Sequence, residues 1–364
     1  MKKSLSVVYV YPSFGGVFDY GRRIEKIYRT WPEIKIRSII LHQEDSMQEI
    51  LSLIEGQKVN VIHFEMGGAD WQMYKLSRLL LQTNPNIKQV VTIHDTGIIL
   101  ARPSGWILPP GKKIKLIPFK IARHAIERVM RLTSLNKWIR NPQITFITLR
   151  KDSLPNALYL PLVLFDEKIP TSKRKHNKII QIGFVGYWSA NKGIETLIDA
   201  YDELREGVSK KLQLKIYGGP AGAEDDYSRT IYARVDGRED IELGGDIADG
   251  RIPQVIANLN IITLPYWLDN PAGSSGIAIH AALSGTPVVA SRAPQLLEIL
   301  NGDATYYEPA NDVDALAVAL SRVVKDYDEA LNKAQNLQEK ILSERSLDVI
   351  SGRLRELYGE AGIL

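Results

Sequence analysis

Short apolar runs and longer stretches of 3.6-residue periodicity alternate along the chain, in two successive series. The first opens with Ser4 to Tyr11, a run of β-branched and aromatic residues that predicts a buried strand. Pro12 to Gly16 closes that strand, and a helical pattern follows from Val17 to Arg29. Further strands are predicted at 36–41, 60–65, 89–94, 144–149 and 157–162, and helices at 46–54 and 71–81. Residues 170–177 (PTSKRKHN) are polar and aperiodic and predict a linker. The second series runs strand 179–185, helix 193–204, strand 212–217, helix 225–234, strand 241–243, helix 252–257 and strand 260–264. A strand at 288–291, a helix at 295–300, a strand at 305–307 and helices at 313–324, 327–342 and 347–358 complete it. Two βαβα series in tandem predict two Rossmann-like, doubly wound α/β domains facing one another across a cleft, with a ligand at the carboxyl ends of the strands.

The most informative stretch is Asn270 to Glu298. Ser274, Ser275 and Gly276 stand where a helix begins, Gly285 where it ends, and Thr286-Pro287 turns the chain into the strand 288–291. A helix opened by small hydroxyl residues and glycine presents free N–H groups and a positive dipole end, which suits a phosphate. The same pattern also serves an ordinary, well-capped βα unit, so it does not decide by itself.

Other glycine turns add weight. Gly15-Gly16, Gly186, Gly218-Gly219 and Gly244-Gly245 each follow a predicted strand and so belong at the carboxyl edges of the two sheets. Turns use glycine for backbone freedom anyway, but several on one edge leave room for a ligand to approach the backbone. Neither a P-loop pattern nor G-x-G-x-x-G is present. Lys192, just before Gly193 and the helix it opens, is a cation at a positive dipole end, which a diphosphate would explain and an exposed loop tip would tolerate.

Composition narrows the classes. With 364 residues, 45% apolar and 24% charged, the chain can bury two cores, and it has no cysteine for disulfides or thiolate chemistry. Its six histidines show no metal-ligand spacing, so neither a metal nor another cofactor is expected. The apolar run after Met1-Lys2-Lys3 is short and meets Pro12 rather than a cleavage site, and no run is long enough to span a bilayer. A cytoplasmic protein is the expectation.

Net charge is +4, but between Gly111 and Pro142 nine Lys or Arg stand against Glu127 alone. Residues 119–140 plot as an amphipathic helix with Lys120, Arg123, Arg128 and Arg131 on its polar face. This predicts docking on an anionic membrane surface, a peripheral site at its inner face; a core-packed helix with a solvated basic face fits the same pattern. Nucleic acid is not expected, since no recognition module or interleaved aromatic platform accompanies the charge.

The run Gly186-Tyr-Trp-Ser-Ala-Asn-Lys192-Gly193 with Ile-Glu-Thr-Leu-Ile-Asp-Ala after it, Leu214 to Gly219, Leu264-Pro265, and Ala281 to Ser291 with Glu298 resembles the donor half of glycosyltransferase family 4. Gly15-Gly16 and Thr92-Ile93-His94-Asp95 resemble its acceptor half, in the same order. The resemblance implies a GT-B fold, with residues 1–170 as the acceptor-binding domain and 178–342 as the nucleotide-sugar donor domain. Residues 343–364 would form a C-terminal helix packing back on the first domain.

It implies that Gly15 and Gly16 approach the donor phosphates, that His94 faces the transferred sugar, and that Lys192 neutralises the leaving diphosphate. Gly245 and Ile247 would lie against the base, with Gly186, Gly218 and Gly219 lining the donor. Two departures stand out. Tyr187 occupies the place of the family's usual arginine, and Ala272 and His280 occupy the places of its two glutamates. Ser274 and Ser275, or Asp269, would substitute from the same loop, and His280 would reach a ribose hydroxyl.

The implied activity is metal-free, retaining transfer of a sugar from a nucleotide-sugar to a glycan or lipid-linked acceptor, as in polysaccharide biosynthesis. The missing carboxylates leave two alternatives: a catalytically silent pseudo-glycosyltransferase that binds a nucleotide-sugar or a partner, and a nucleotide-sugar epimerase of the same fold.

Overall fold

The computed structural model describes residues 4–13, 15–42, 45–55, 58–67, 71–94, 136–151, 154, 156–163, 179–220, 225–267 and 273–364. The linker 170–177 and the basic residues Lys120, Arg123, Arg128 and Arg131 lie outside these, as do Ala272 and Asp269.

The chain divides into two units. One comprises Met1–Val163 with Pro271–Gly273 and Ile350–Leu364, the other Leu164–Asn270 with Ser274–Val349. In the first unit, β1 (Leu5–Pro12), α1 (Gly15–Arg29), β2 (Ile34–Leu41), α2 (Met47–Glu55), β3 (Val61–Met66), α3 (Trp71–Thr83), β4 (Lys88–Ile93), β5 (Ile144–Thr148) and β6 (Leu158–Tyr159) follow one another. All six strands pair in parallel, in the order β2-β1-β3-β4-β5-β6. Parallel strands covered on both faces read as continuous apolar runs, which is why Val7 to Tyr11 and Val61 to Met66 are buried throughout. The predicted strand 157–162 shrinks to two residues. Leu160 still donates to the Thr148 carbonyl, but Pro161 has no N–H with which to continue the ladder.

The second unit holds β7 (Ile179–Val185), α4 (Ile194–Gly207), β8 (Lys211–Tyr217), α5 (Asp226–Val235), β9 (Ile241–Gly245), α6 (Ile252–Ala257), β10 (Ile261–Leu264), α7 (Gly276–Ser284), β11 (Val288–Ser291), α8 (Pro294–Leu300), β12 (Thr305–Tyr307), α9 (Val313–Lys325) and α10 (Tyr327–Arg345). Its sheet is also parallel, in the order β12-β11-β10-β7-β8-β9. Helices form where the period puts one face inward: Ile194, Leu197, Ile198, Tyr201 and Leu204 of α4 are buried.

The last helix, α11 (Leu347–Glu360), enters the first unit from Ile350 onward. There Ser351 accepts a hydrogen bond from the Trp31 indole at 2.8 Å, and Tyr358 is buried against Tyr28.

Each sheet has one place where the winding reverses, between β1 and β3 in the first and between β7 and β10 in the second. Connections leave in opposite directions there, which opens a crevice beyond the carboxyl ends of those two strands.

Candidate active site

In the first unit the crevice lies beyond β1 and β3. Gly15 and Gly16 open α1 directly past β1, and a Cβ on either would meet nothing within 4 Å. Gly67, just past β3, touches the start of α1 on one side and β4 on the other. A Cβ there would collide with the Val17 side chain and lie 3.4 Å from the Cβ of His94. His94 follows β4, and its N–H is held by the Met66 carbonyl at 2.7 Å. The fold thus gathers Gly15, Gly16 and His94, as their common edge requires.

What holds the His94 ring was not singled out in the sequence. Its Nε2 lies 2.8 Å from Oε2 of Glu65, and the edge of Tyr20 packs against it with centroids 4.6 Å apart. Glu65 is 0% exposed, whereas the histidine retains 11%. The other carboxylate oxygen accepts from the Tyr9 hydroxyl at 2.7 Å. A buried carboxylate needs such partners, because leaving it unpaired costs several kcal/mol, on the order of 3–5. Burial first, then the Glu65 charge, pushes the hydroxyl pKa values of Tyr9 and Tyr20 well up, so both stay protonated.

His63 lies in the same cluster, between Thr92 at 2.7 Å from Nε2 and the hydroxyls of Tyr28 and Tyr358 at Nδ1. Burial pushes its pKa down to about 4, so it is neutral at ordinary pH. Glu65 had a visible signal: it is an acid inside the continuous apolar run Val61 to Met66, where a buried charge demands a partner.

In the second unit the glycine turns are stitched together by backbone. Gly218 donates to the Gly245 carbonyl at 2.7 Å, and Trp188 donates to the Gly219 carbonyl at 2.8 Å. Gly218 has φ +101°, and a Cβ there would fall on the Gly186 carbonyl. This glycine is required by the packing of β7 against β8, whether or not a ligand binds. Tyr187 projects from the same edge at 61% exposure, while Ile247, past β9, is half-buried.

Lys192 ends a 3-10 turn, Ala190–Lys192, closed by Gly193 at φ +69°. A side chain on Gly193 would strike the Pro265 carbonyl, and Trp267 donates to the Asn191 carbonyl at 3.1 Å. The loop past β10 is thereby pressed onto the turn past β7, at the reversal point of the sheet. The result is specific: Lys192 Nζ sits 3.8 Å from the centre of the Tyr266 ring. A cation so placed is held by the ring's quadrupole and needs no carboxylate, and among the described residues none pairs with it. Nothing in the sequence marked Tyr266. It follows an ordinary strand, and its role depends on the turn that packs against it.

Helix α7 begins as the sequence predicted. The Ser275 side chain accepts from the Ala278 N–H at 3.2 Å and caps the helix, while Gly276 leaves open space. The Ser274 and Tyr266 hydroxyls are buried with no hydrogen-bond partner among the described residues. His280, on the same helix, is only 3% exposed. Among the described residues no His, Asp or Glu cluster could hold a metal ion, and no helix is long and apolar enough to cross a membrane.

Fold and edge together define a two-domain α/β protein of the GT-B class. The model of the glycosyl transferases group 1 family matches residues 179–326. The chain is 26% identical over 215 residues to the MMP alpha-(1->4)-mannosyltransferase of Mycolicibacterium hassiacum, covering 57% of this chain and 49% of that relative. It therefore spans about half the length of the curated relative it matches. Among solved structures, sucrose-phosphate synthase from Thermosynechococcus elongatus superposes with TM-score 0.71 at 16% identity, covering 98% of each chain. Anabaena HepE in complex with UDP-glucose superposes with TM-score 0.69 at 14% identity, over 98% of this chain and 100% of the other. The chain therefore has the GT-B fold, and residues 179–326 of its second unit are similar to the glycosyl transferases group 1 family.

Proposed function

We propose that the chain is a glycosyltransferase that moves a sugar from a nucleotide-sugar to a glycan or lipid-linked acceptor, with retention and without a metal. The observation that carries this is Lys192, a cation unclaimed by any described carboxylate and steadied on Tyr266 at the reversal point of the second sheet. A leaving diphosphate is the anion that such a cation and the nearby glycine backbone suit. HepE, which shares the fold, binds UDP-glucose, and that supports a nucleotide-sugar as donor.

On this reading Lys192 takes up charge as the bond from the sugar's anomeric carbon to the phosphate oxygen breaks. The acceptor hydroxyl bonds to the same face of that carbon, and its proton passes to the departing phosphate. His94 touches the transferred sugar, and Gly15 and Gly16 leave room for the phosphates. Gly186, Tyr187, Gly218, Gly219, Gly245, Ile247, Ser274, Ser275, Gly276 and His280 are proposed to line the donor, with Lys192 as the cation and Tyr187 a neutral side chain where the resemblance leads one to expect an arginine. The basic residues near 120–131 are proposed to meet an anionic membrane that carries a lipid-linked acceptor.

A panel of UDP-, GDP-, ADP- and dTDP-sugars, incubated with EDTA present and scored for nucleotide release, tests the reading. Release from one donor, with the anomeric configuration kept in the product, is expected. Binding without release, or release that stops with EDTA, would contradict it.

A further inference from the structure

The buried pair of Glu65 and His94 has a job that the transfer reading does not assign. Histidine carries one proton on two nitrogens when neutral, and the hydrogen bond made by one nitrogen decides which carries it. An ionised carboxylate only accepts, so the 2.8 Å contact to Glu65 Oε2 requires the proton on Nε2 of His94. The carboxylate itself cannot swing. Its other oxygen takes the Tyr9 hydroxyl at 2.7 Å, and the group has no exposed surface. The neighbouring histidine does not compete for that role: burial keeps His63 neutral, and its own Nε2 lies nearer Thr92 than Glu65, at 2.7 Å against 3.4 Å. The solvent-reaching part of the pair is therefore the histidine ring, and among the described residues its side-chain hydrogen bond runs through Nε2, which leaves Nδ1 for a ligand.

We propose that Glu65 is a positioning residue that fixes the Nε2–H tautomer and the orientation of His94, so that Nδ1 accepts a hydrogen bond from a hydroxyl of the bound sugar. This rests on the glycosyltransferase reading for the identity of the hydroxyl, but not for the tautomer. The arrangement resembles the way a carboxylate orients imidazole in other sites: Glu65 touches no substrate, and its effect passes through the ring.

The test uses the full chain with 15N-labelled histidine. Long-range 1H–15N spectra at pH 7.5 read the tautomer of each ring, and His94→Gln assigns the His94 signals. Wild type is expected to show a protonated-type Nε2 and an unprotonated-type Nδ1. Glu65→Gln keeps the volume and a polar group but offers both donor and acceptor, so it is expected to populate both tautomers. Its kcat should fall roughly ten- to a hundredfold through misplacement of the ring, with KM for the nucleotide-sugar within about threefold of wild type. Tyr9→Phe, which removes a partner of the other oxygen, should keep both the tautomer and at least about a third of kcat.

An imidazolium or an Nδ1–H tautomer in wild type overturns the proposal. So does a Glu65→Gln protein that keeps the wild-type tautomer, or one that loses it with kcat unchanged. Equal losses in Tyr9→Phe and Glu65→Gln, with the tautomer intact in both, would show a merely structural network and also overturn it. If wild type turns over no nucleotide-sugar yet Glu65→Gln alone scrambles the tautomer, the positioning stands and the transfer reading fails.

Discussion

The two carboxyl edges are built from different materials. The edge of the first sheet rests on a buried cluster of ionisable side chains, Glu65, His94, His63, Tyr9, Tyr20, Tyr28 and Tyr358, above a glycine turn that opens onto free space. The edge of the second is backbone pressed on backbone, with Gly218 against Gly186 and Gly193 against Pro265, and Lys192 lies on an aromatic face there. The first arrangement answers to pH and to the loss of a single polar atom. The second answers to volume at Gly193 and Gly218, where a methyl group would fall on a backbone carbonyl. Glycine therefore does different work at these positions: a Cβ would meet open space at Gly15 and Gly16, and the protein's own backbone at Gly218.

The sharpest way to break this contrast is to add one methyl group to each side. Gly218→Ala forces a Cβ onto the Gly186 carbonyl at φ +101° and should cost about 3–5 kcal/mol of stability, read by urea denaturation. Gly16→Ala meets nothing within 4 Å and should stay within about 1 kcal/mol of wild type. Equal losses would erase the distinction.

Acid should separate the two units next. His63 titrates near 4 in the folded chain and near 6.5 when unfolded, so the unfolded state binds more protons between those values. Its contribution is fully present above pH 6.5 and is lost as pH falls towards 4, by up to about 3 kcal/mol. Unfolding free energy followed over that range should show this slope, and His63→Gln should flatten it. A slope that is the same in both proteins would place the acid sensitivity elsewhere.

On the second edge, Lys192→Met should weaken nucleoside diphosphate binding by about 1.5–3 kcal/mol in calorimetry. Tyr266→Leu should cost about 0.5–2 kcal/mol of the same affinity, and Tyr266→Phe, which keeps the ring beneath the ammonium, almost none. Were Phe as damaging as Leu, the hydroxyl rather than the ring would matter. A small effect on stability belongs to the first unit. Arg355 lies 4.7 Å from the centre of the Trp31 ring and pairs with Glu33 while half-exposed, so Arg355→Ala should cost only about 0.5–1 kcal/mol in thermal melts.

Much of this was legible beforehand. The βα alternation, the glycine turns and the caps at Ser275 and Gly285 appear where periodicity and punctuation put them, because each depends on neighbours within a few residues. His94 and Lys192 were singled out as candidates through their motif surroundings. Their partners were not. Glu65 was visible as an acid in an apolar strand, but that signal names no partner. Tyr266 gave no signal at all, since an aromatic residue after a strand is ordinary until a lysine is laid across it.

The amino-acid sequence by itself determined two parallel-sheet series, the edge on which chemistry would lie and the residue types available there. Those are local properties: a strand or a helix start is set by the few residues that compose it. Only the tertiary structure decided which residues meet. Glu65 reaches His94 because β3 and β4 pair with Glu65 opposite Thr92 and Met66 opposite Ile93, and Tyr266 reaches Lys192 because Gly193 lets the Pro265 carbonyl approach. Register and close approach are settled by packing between segments tens of residues apart, and no window of sequence contains both sides of that contact.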